Sequence, residues 1–111
     1  MSIAGSEEGR RSRRILFPID YSESCTSAFK WYLNYIKLSG DFIIFVHIAF
    51  LHIETQPGRA ILTSAKNHNI DMIVMEAGGQ GILSGESLGR ISDYVVHNST
   101  VPVVIVHAEK D

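Results

Sequence analysis

The stretch Met72-Ile73-Val74-Met75-Glu76-Ala77-Gly78-Gly79, taken with Leu88-Gly89-Arg90-Ile91 a few residues on, decides the reading of this chain. An apolar run preceded by Asp71 and closed by glycines predicts a short buried strand, and Leu88, Ile91, Val95 and Val96 recur after it at helical spacing. Nine residues separate Gly79 from Gly89, a spacing that suits a phosphate-cradling turn. Glycines let backbone N–H groups approach an anion closely, and a helix beginning at Gly89 aims its free N–H groups and positive dipole end at the same point. A bound phosphate is the first functional expectation. Glu76 works against it, because a carboxylate at the end of the strand is a poor neighbour for a phosphate without a cation between them.

Outward from this stretch the same alternation continues. Ile15-Leu16-Phe17-Pro18-Ile19-Asp20 reads as a buried strand in which Pro18 marks the end of pairing near the C-terminal edge. Ser22 or Ser24 is placed to cap a helix whose apolar stripe is Cys25, Ala28, Phe29, Tyr32, Leu33 and Ile36, widened by Trp31, Tyr35 and Leu38 and ended by Ser39-Gly40. Phe42 to Ile48 is continuously apolar, the pattern of a strand covered on both faces. Pro57-Gly58 punctuates the chain before a helix carrying Ala60, Ile61 and Ala65. Asn98 is expected as a left-handed cap after the last helix, and Val101 to Val106 is a β-branched final strand. Strands alternating with helices predict an α/β fold built on an open parallel sheet.

Composition narrows the function classes. A chain of 111 residues with 45% hydrophobic content makes one domain with a core. Ten basic and twelve acidic residues give a net charge of −2, which lacks the basic field that nucleic-acid binding needs. The single cysteine, Cys25, excludes an internal disulfide and suits a reducing compartment. No signal peptide is evident, and Phe42 to Ile53 is too short and too polar to span a membrane, so a cytoplasmic protein is expected. Residues 1–12 read as a mobile leader. The cluster Arg10-Arg11-Ser12-Arg13-Arg14 is either a targeting or kinase-recognition patch or, the favoured reading, a solvated lead-in to the first strand.

Several segments together resemble the universal stress protein domain from Arg14 to His107, which sets the domain at 13–108. They are Ile15 to Glu23, Val46-His47-Ile48, Asp71 to Met75, and Leu88 to Val96 running into Val101 to Val106. The resemblance implies a Rossmann-like three-layer fold of the adenine-nucleotide alpha-hydrolase type and a stress-response regulator that binds ATP or AMP, with Mg2+ as an accessory. It implies that Asp20 sits by the ribose or by the metal and phosphates, and that Pro18 and Ile48 border the adenine. Ile19 and Met75 complete the strand-end positions, and the backbone around Gly79, Gly89, Arg90 and Ile91 cradles phosphates. All these positions lie beyond the carboxyl ends of strands, where α/β sheets bind ligands. The resemblance also implies a homodimer joined through Val101 to Val106.

Two of the four named positions of the family's Gly-x2-Gly-x9-Gly-Ser/Thr motif depart here, Glu76 and Arg90 standing beside Gly79 and Gly89. Two arrangements are open: Glu76 and Arg90 pair and fill the phosphate site, or Arg90 turns to the phosphates while Glu76 points to solvent. The first would leave a non-nucleotide-binding homodimeric interaction module, which is the alternative to a nucleotide-binding regulator. The segment Ala49 to Pro57 is also shorter than the family's helix and edge strand at this place, and a parallel crossover needs about a dozen residues. A four-stranded sheet in order 2-1-3-4 follows, with Leu51 to Thr55 either extending strand two or folding back beside it, and with an exposed edge that favours self-association.

Other chemistries lack their signatures. His47, His52, His68, His97 and His107 form no metal-binding pattern, Ser22 and Ser24 lack a hydrolase elbow, and there is no P-loop. No motif places a general base, so no catalytic residue is assigned and ATP hydrolysis is at most slow. Asp20 is the one candidate metal ligand, with Glu76 beside it, and only when nucleotide oxygens complete the shell.

Overall fold

The computed structural model describes residues 12–19, 23–47, 56–77 and 86–107, with backbone alone for 23–25 and 86–90. Among the described residues seven elements alternate: β1 (Arg14–Ile19), α1 (Glu23–Tyr35), β2 (Phe42–His47), α2 (Pro57–Asn67), β3 (Met72–Glu76), α3 (Glu86–Asn98) and β4 (Val103–Val106). The strands form one parallel sheet in the order β2-β1-β3-β4, as expected from the short crossover after strand two.

Two apolar layers flank the sheet. On one face Leu16, Ile73 and Met75 meet Ile61 and Ala65 of α2 and Val95 of α3, with Ile70 at the turn into β3. On the other, Ile15, Phe17, Val74 and Val106 meet Ala28 and Tyr32 of α1. Neighbouring strand residues fall into different layers because successive side chains of a strand point to opposite faces. Gly58 sits where α2 crosses α3, and a Cβ there would lie 2.5 Å from Cδ2 of Tyr94. Pro57 fits the first helical position, where its missing N–H costs nothing.

Pairing within the sheet is uneven. β1 pairs β2 in register from Arg14↔Phe42 to Ile19↔His47, whereas its register with β3 is Ile15↔Met72 and Leu16↔Ile73. The Arg13 carbonyl accepts from the Phe42 N–H at 2.8 Å and the Arg14 carbonyl from the Asp71 N–H at 2.8 Å. By alternation Pro18 faces β3, and it has no N–H to donate there. The loss of pairing expected at Pro18 therefore falls on the β3 side alone.

Several expectations are corrected. The first helix ends at Tyr35, before Leu38 and Ser39, and Leu38 is 54% exposed and Tyr35 71% exposed. The chain turns early because the Arg13 guanidinium donates to the Ile36 carbonyl at 3.0 Å and Asp41 accepts from the Leu38 N–H at 3.0 Å. β2 is not buried along its length: it is the outermost of the described strands on its side of the sheet, with Phe42 and Phe45 each 51% exposed. Asn98 is not left-handed; its side chain donates to the Tyr94 carbonyl at 2.8 Å, and Asn69, after α2, takes the positive φ of 52°. The last helix begins at Glu86 rather than Gly89, and the last strand at Val103 rather than Val101.

Arg13 and Arg14 belong to the fold and not to a solvated lead-in. Arg13 grips Asp41 with both arms of its guanidinium, Nε to Oδ1 at 2.9 Å and Nη2 to Oδ2 at 2.7 Å, and the Tyr32 hydroxyl donates to the same Oδ2. These bonds, the Arg13 pair first, hold the Asp41 carboxyl well below the usual carboxylate range in spite of its burial. Arg14 donates its N–H to Asp71 at 2.8 Å and its Nε to the His68 carbonyl at 2.7 Å, with its guanidinium 4.8 Å from the centre of the Phe42 ring.

Candidate functional site

In the order 2-1-3-4 the chain reverses its direction of sheet building between β1 and β3, so the switch point lies between those strands. Their C-terminal ends carry Pro18 and Ile19 on one side and Met75 and Glu76 on the other. Pro18 and Ile19 are half-buried, Met75 is buried in the layer shared with α2 and α3, and Glu76 is 4% exposed. Val74 belongs to the α1 layer and Met75 to the opposite one, so alternation returns Glu76 to the α1 face.

Glu76 is the distinctive group of this end of the sheet. Neither of its carboxyl oxygens has a hydrogen-bond partner among the described residues. Burial pushes its pKa up to about 7, because removing the carboxylate from water penalises the charged form. The backbone on either side is tied down. Glu76 pairs Val106 in the sheet register, the Ala77 N–H donates to the Val106 carbonyl at 2.9 Å, and the Ser92 hydroxyl of α3 donates to the Ala77 carbonyl at 3.2 Å. The carboxyl is thus held in place without a partner.

These observations bear on the two arrangements for Glu76 and Arg90. Glu76 does not point to solvent. The Arg90 side chain lies outside the described residues, and so does any pair it makes; α3 packs on the face opposite the one that holds Glu76. Asp20, Ile48 and Gly79 also lie outside the described residues. Gly89, Arg90 and Ile91 are the fourth to sixth residues of α3, since the helix starts at Glu86. The N–H groups that a helix leaves unpaired belong to its first turn, so those of Glu86 to Leu88 take the place expected of Gly89 to Ile91. Ile91 packs its side chain into the α2–α3 layer.

One residue near the site escapes a sequence reading. Ser92 is buried beside the apolar stripe and its hydroxyl ties α3 to the end of β3; a polar residue next to Ile91 on the inner face is the one signal for it. Two clefts lie away from the strand ends named above. One of about 460 Å3 is bounded by Leu62, Lys66, Asn69 and Thr100, and one of about 320 Å3 lies between α1 and β4, with Lys30, Trp31, Tyr35 and His107 on its walls. Among the described residues no three His, Cys, Asp or Glu side chains come together as a metal site, and no helix is long and apolar enough to cross a membrane.

The sequence profile of the Usp family, the universal stress protein family, matches residues 49–107, more than half of the chain. The chain belongs to the universal stress protein family. Among solved structures it is similar to the hypothetical protein MJ0577, with a TM-score of 0.67 and 17% identity over 92% of this chain and 100% of that one. It is similar to the hypothetical protein PH0823, with a TM-score of 0.68 and 19% identity over 89% of this chain and 97% of that one. It is also similar to the universal stress protein UspA from Lactobacillus plantarum, with a TM-score of 0.59 and 16% identity over 88% and 99%. At these identities the likeness carries the fold. No curated protein sequence matches the chain.

Proposed function

We propose that this protein is a stress-response regulator of the cytoplasm that binds an adenine nucleotide, ATP or AMP, at the C-terminal ends of β1, β2 and β3. The observation that supports this reading most is Glu76, a buried carboxyl with no partner among the described residues, at the switch point of the sheet. Buried polar groups are nearly always satisfied, so an orphaned carboxyl at the place where α/β sheets take ligands is a group left for a ligand to meet. As a neutral acid it donates a hydrogen bond to a ribose or phosphate oxygen, and as a carboxylate it needs a cation such as Mg2+ beside the phosphates.

The ligand fits this end of the chain through a division of labour. Pro18 and Ile19 supply an apolar lip at the end of β1, with Ile48 expected beside them, and Asp20 faces the ribose or the metal. Glu76, Gly79 and the first turn of α3 with Arg90 face the phosphates. Binding is expected to weaken as pH rises through 7, where Glu76 ionises. The bound state is expected to be regulatory, with slow turnover at most, since no sequence motif assigns a general base. The β4 edge, Val103 to Val106 with Val101 and Pro102 before it, supports a homodimer.

The experiment is to measure nucleotide released from protein purified without added ligand, and then to titrate the stripped protein with ATP and Mg2+. Co-purified adenine nucleotide or saturable binding supports the proposal. No carried-over nucleotide together with no binding heat at millimolar ATP rejects it in favour of an interaction module. In that case Glu76→Gly with Arg90→Ser would restore binding if the two side chains close the site.

A further inference from the structure

α1 lies across β3 with a different chemistry on each flank. Toward β1 and β2 it turns Phe29 and Tyr32, whose ring centres stand 5.2 Å and 5.1 Å from that of Phe17, with the Phe45 ring 5.3 Å from that of Phe29. These rings pack on one another at ordinary aromatic distances. Toward β4 the helix does not close on the sheet, and a cleft of about 320 Å3 remains. Ser27, Lys30, Trp31 and Asn34 make its helical wall, and their spacing of i, i+3, i+4 and i+7 puts them on one side of α1. Val106, which is buried, and His107 close it from the end of β4, and Tyr35 stands one turn beyond Trp31.

The walls divide by chemistry. The Trp31 and Tyr35 rings stand side by side, their centres 5.4 Å apart and their planes tilted by 37°. Anchoring the helix does not require this pair, because Ala28 and Tyr32, both buried, already fix α1 to the sheet. Together with Val106 the two rings offer an apolar surface to a flat body. The polar groups of the cleft can all donate a hydrogen bond: the Lys30 ammonium, the Ser27 hydroxyl, the Asn34 amide and the His107 imidazole. No aspartate or glutamate is among the described residues that line it, so the fixed charge on its walls is the Lys30 ammonium.

This combination selects a ligand class. A cation would be repelled by Lys30, and an aliphatic anion would leave the rings uncovered. A flat ring carrying a carboxylate meets both walls: the ring stacks on Trp31 and Tyr35, and the carboxylate takes a charge-assisted hydrogen bond from Lys30. A volume of about 320 Å3 is near the lower end of the ~300–1,000 Å3 range of ligand clefts, which suits a body of one or two rings. We propose that the cleft between α1 and β4 binds a small aromatic carboxylate, stacked on Trp31 and Tyr35 and held by Lys30. The site lies on the β4 flank of α1, apart from the ends of β1, β2 and β3, and does not depend on the nucleotide reading.

Trp31 is the only tryptophan of the chain, so its fluorescence reports contact at this wall directly. The full chain is titrated with para-nitrobenzoate, a flat acid whose ring quenches indole emission on contact, and with para-nitrobenzamide, its uncharged counterpart. Saturable quenching is expected with the acid, and binding about tenfold weaker with the amide, the worth of one charge-assisted hydrogen bond. Lys30→Met, with its far-UV circular dichroism unchanged, should weaken the acid by about the same factor, while Lys66→Met at the other cleft leaves it unchanged. Saturating ATP should leave the acid in place. The proposal is overturned if quenching by the acid does not saturate, if acid and amide bind equally, if Lys30→Met has no more effect than Lys66→Met, or if ATP displaces the acid.

Discussion

Replacing Glu76 by glutamine isolates the cost of holding an unpartnered acid in the core. Its pKa rises from an ordinary 4.5 to about 7 through burial. At 1.36 kcal/mol per pKa unit this difference amounts to about 3 kcal/mol. The sign follows from which state holds the proton. Between pH 4.5 and 7 the unfolded chain has released it and the folded chain has not, so folding stability falls as pH rises. The contribution is complete below 4.5 and has gone above 7. Glu76→Gln, nearly isosteric and never charged, should therefore match the parent near pH 4.5 and exceed it by about 3 kcal/mol at pH 8. With a urea slope of ~1.5 kcal/mol/M, the gap at pH 8 is a midpoint shift of ~2 M. Urea denaturation followed through the single tryptophan, Trp31, and by circular dichroism reads this directly. Working with the difference between the two proteins cancels the titration of every other group. A difference that stays the same from pH 4.5 to pH 8 would refute the burial argument.

Three further outcomes are expected. Asp41→Asn breaks the clasp with Arg13 and Tyr32 and should cost about 3 kcal/mol, as removing one partner of a buried pair does; a loss under 0.5 kcal/mol in thermal melts would contradict it. Because the Asp41 pKa is lowered in the fold, its contribution is present above pH 3.8 and is lost as pH falls further, so the stability gap between the parent and Asp41→Asn should stay constant above pH 3.8 and narrow below it; a gap that widens toward low pH would contradict this. Gly58→Ala pushes a methyl group to within 2.5 Å of the Tyr94 ring and should cost about 1–3 kcal/mol; in a Tyr94→Ala background the same change should cost much less, and equal costs in both backgrounds would show that the contact is not the cause.

The alternation of elements could be read from local signals, apolar runs and turn residues, and the strand order from the family resemblance taken with the short stretch Ala49 to Pro57. The half-exposure of Phe42 and Phe45 on β2 could not, because a continuous apolar run means burial only where something covers the strand. The Arg13–Asp41–Tyr32 clasp joins residues 28 and 9 positions apart in sequence, and nothing local marks charged residues as partners at that distance. It also explains why α1 stops short of its apolar stripe. At the site, the position of Glu76 was legible and its state was not. A carboxylate after an apolar strand suggests a solvated loop or an ion pair, and only the packing of the α1 face shows that it is buried, with no partner among the described residues.

The central claim, a nucleotide site at the strand ends with Glu76 within it, is tested most directly by calorimetric titration of the stripped full chain with ATP and Mg2+ at pH 6 and pH 8, beside Glu76→Gln. Saturable binding is expected at both pH values, tighter at pH 6, with the pH dependence removed in Glu76→Gln. No binding heat at millimolar ATP at either pH would contradict the claim, and binding whose pH dependence is unchanged in Glu76→Gln would remove Glu76 from the site.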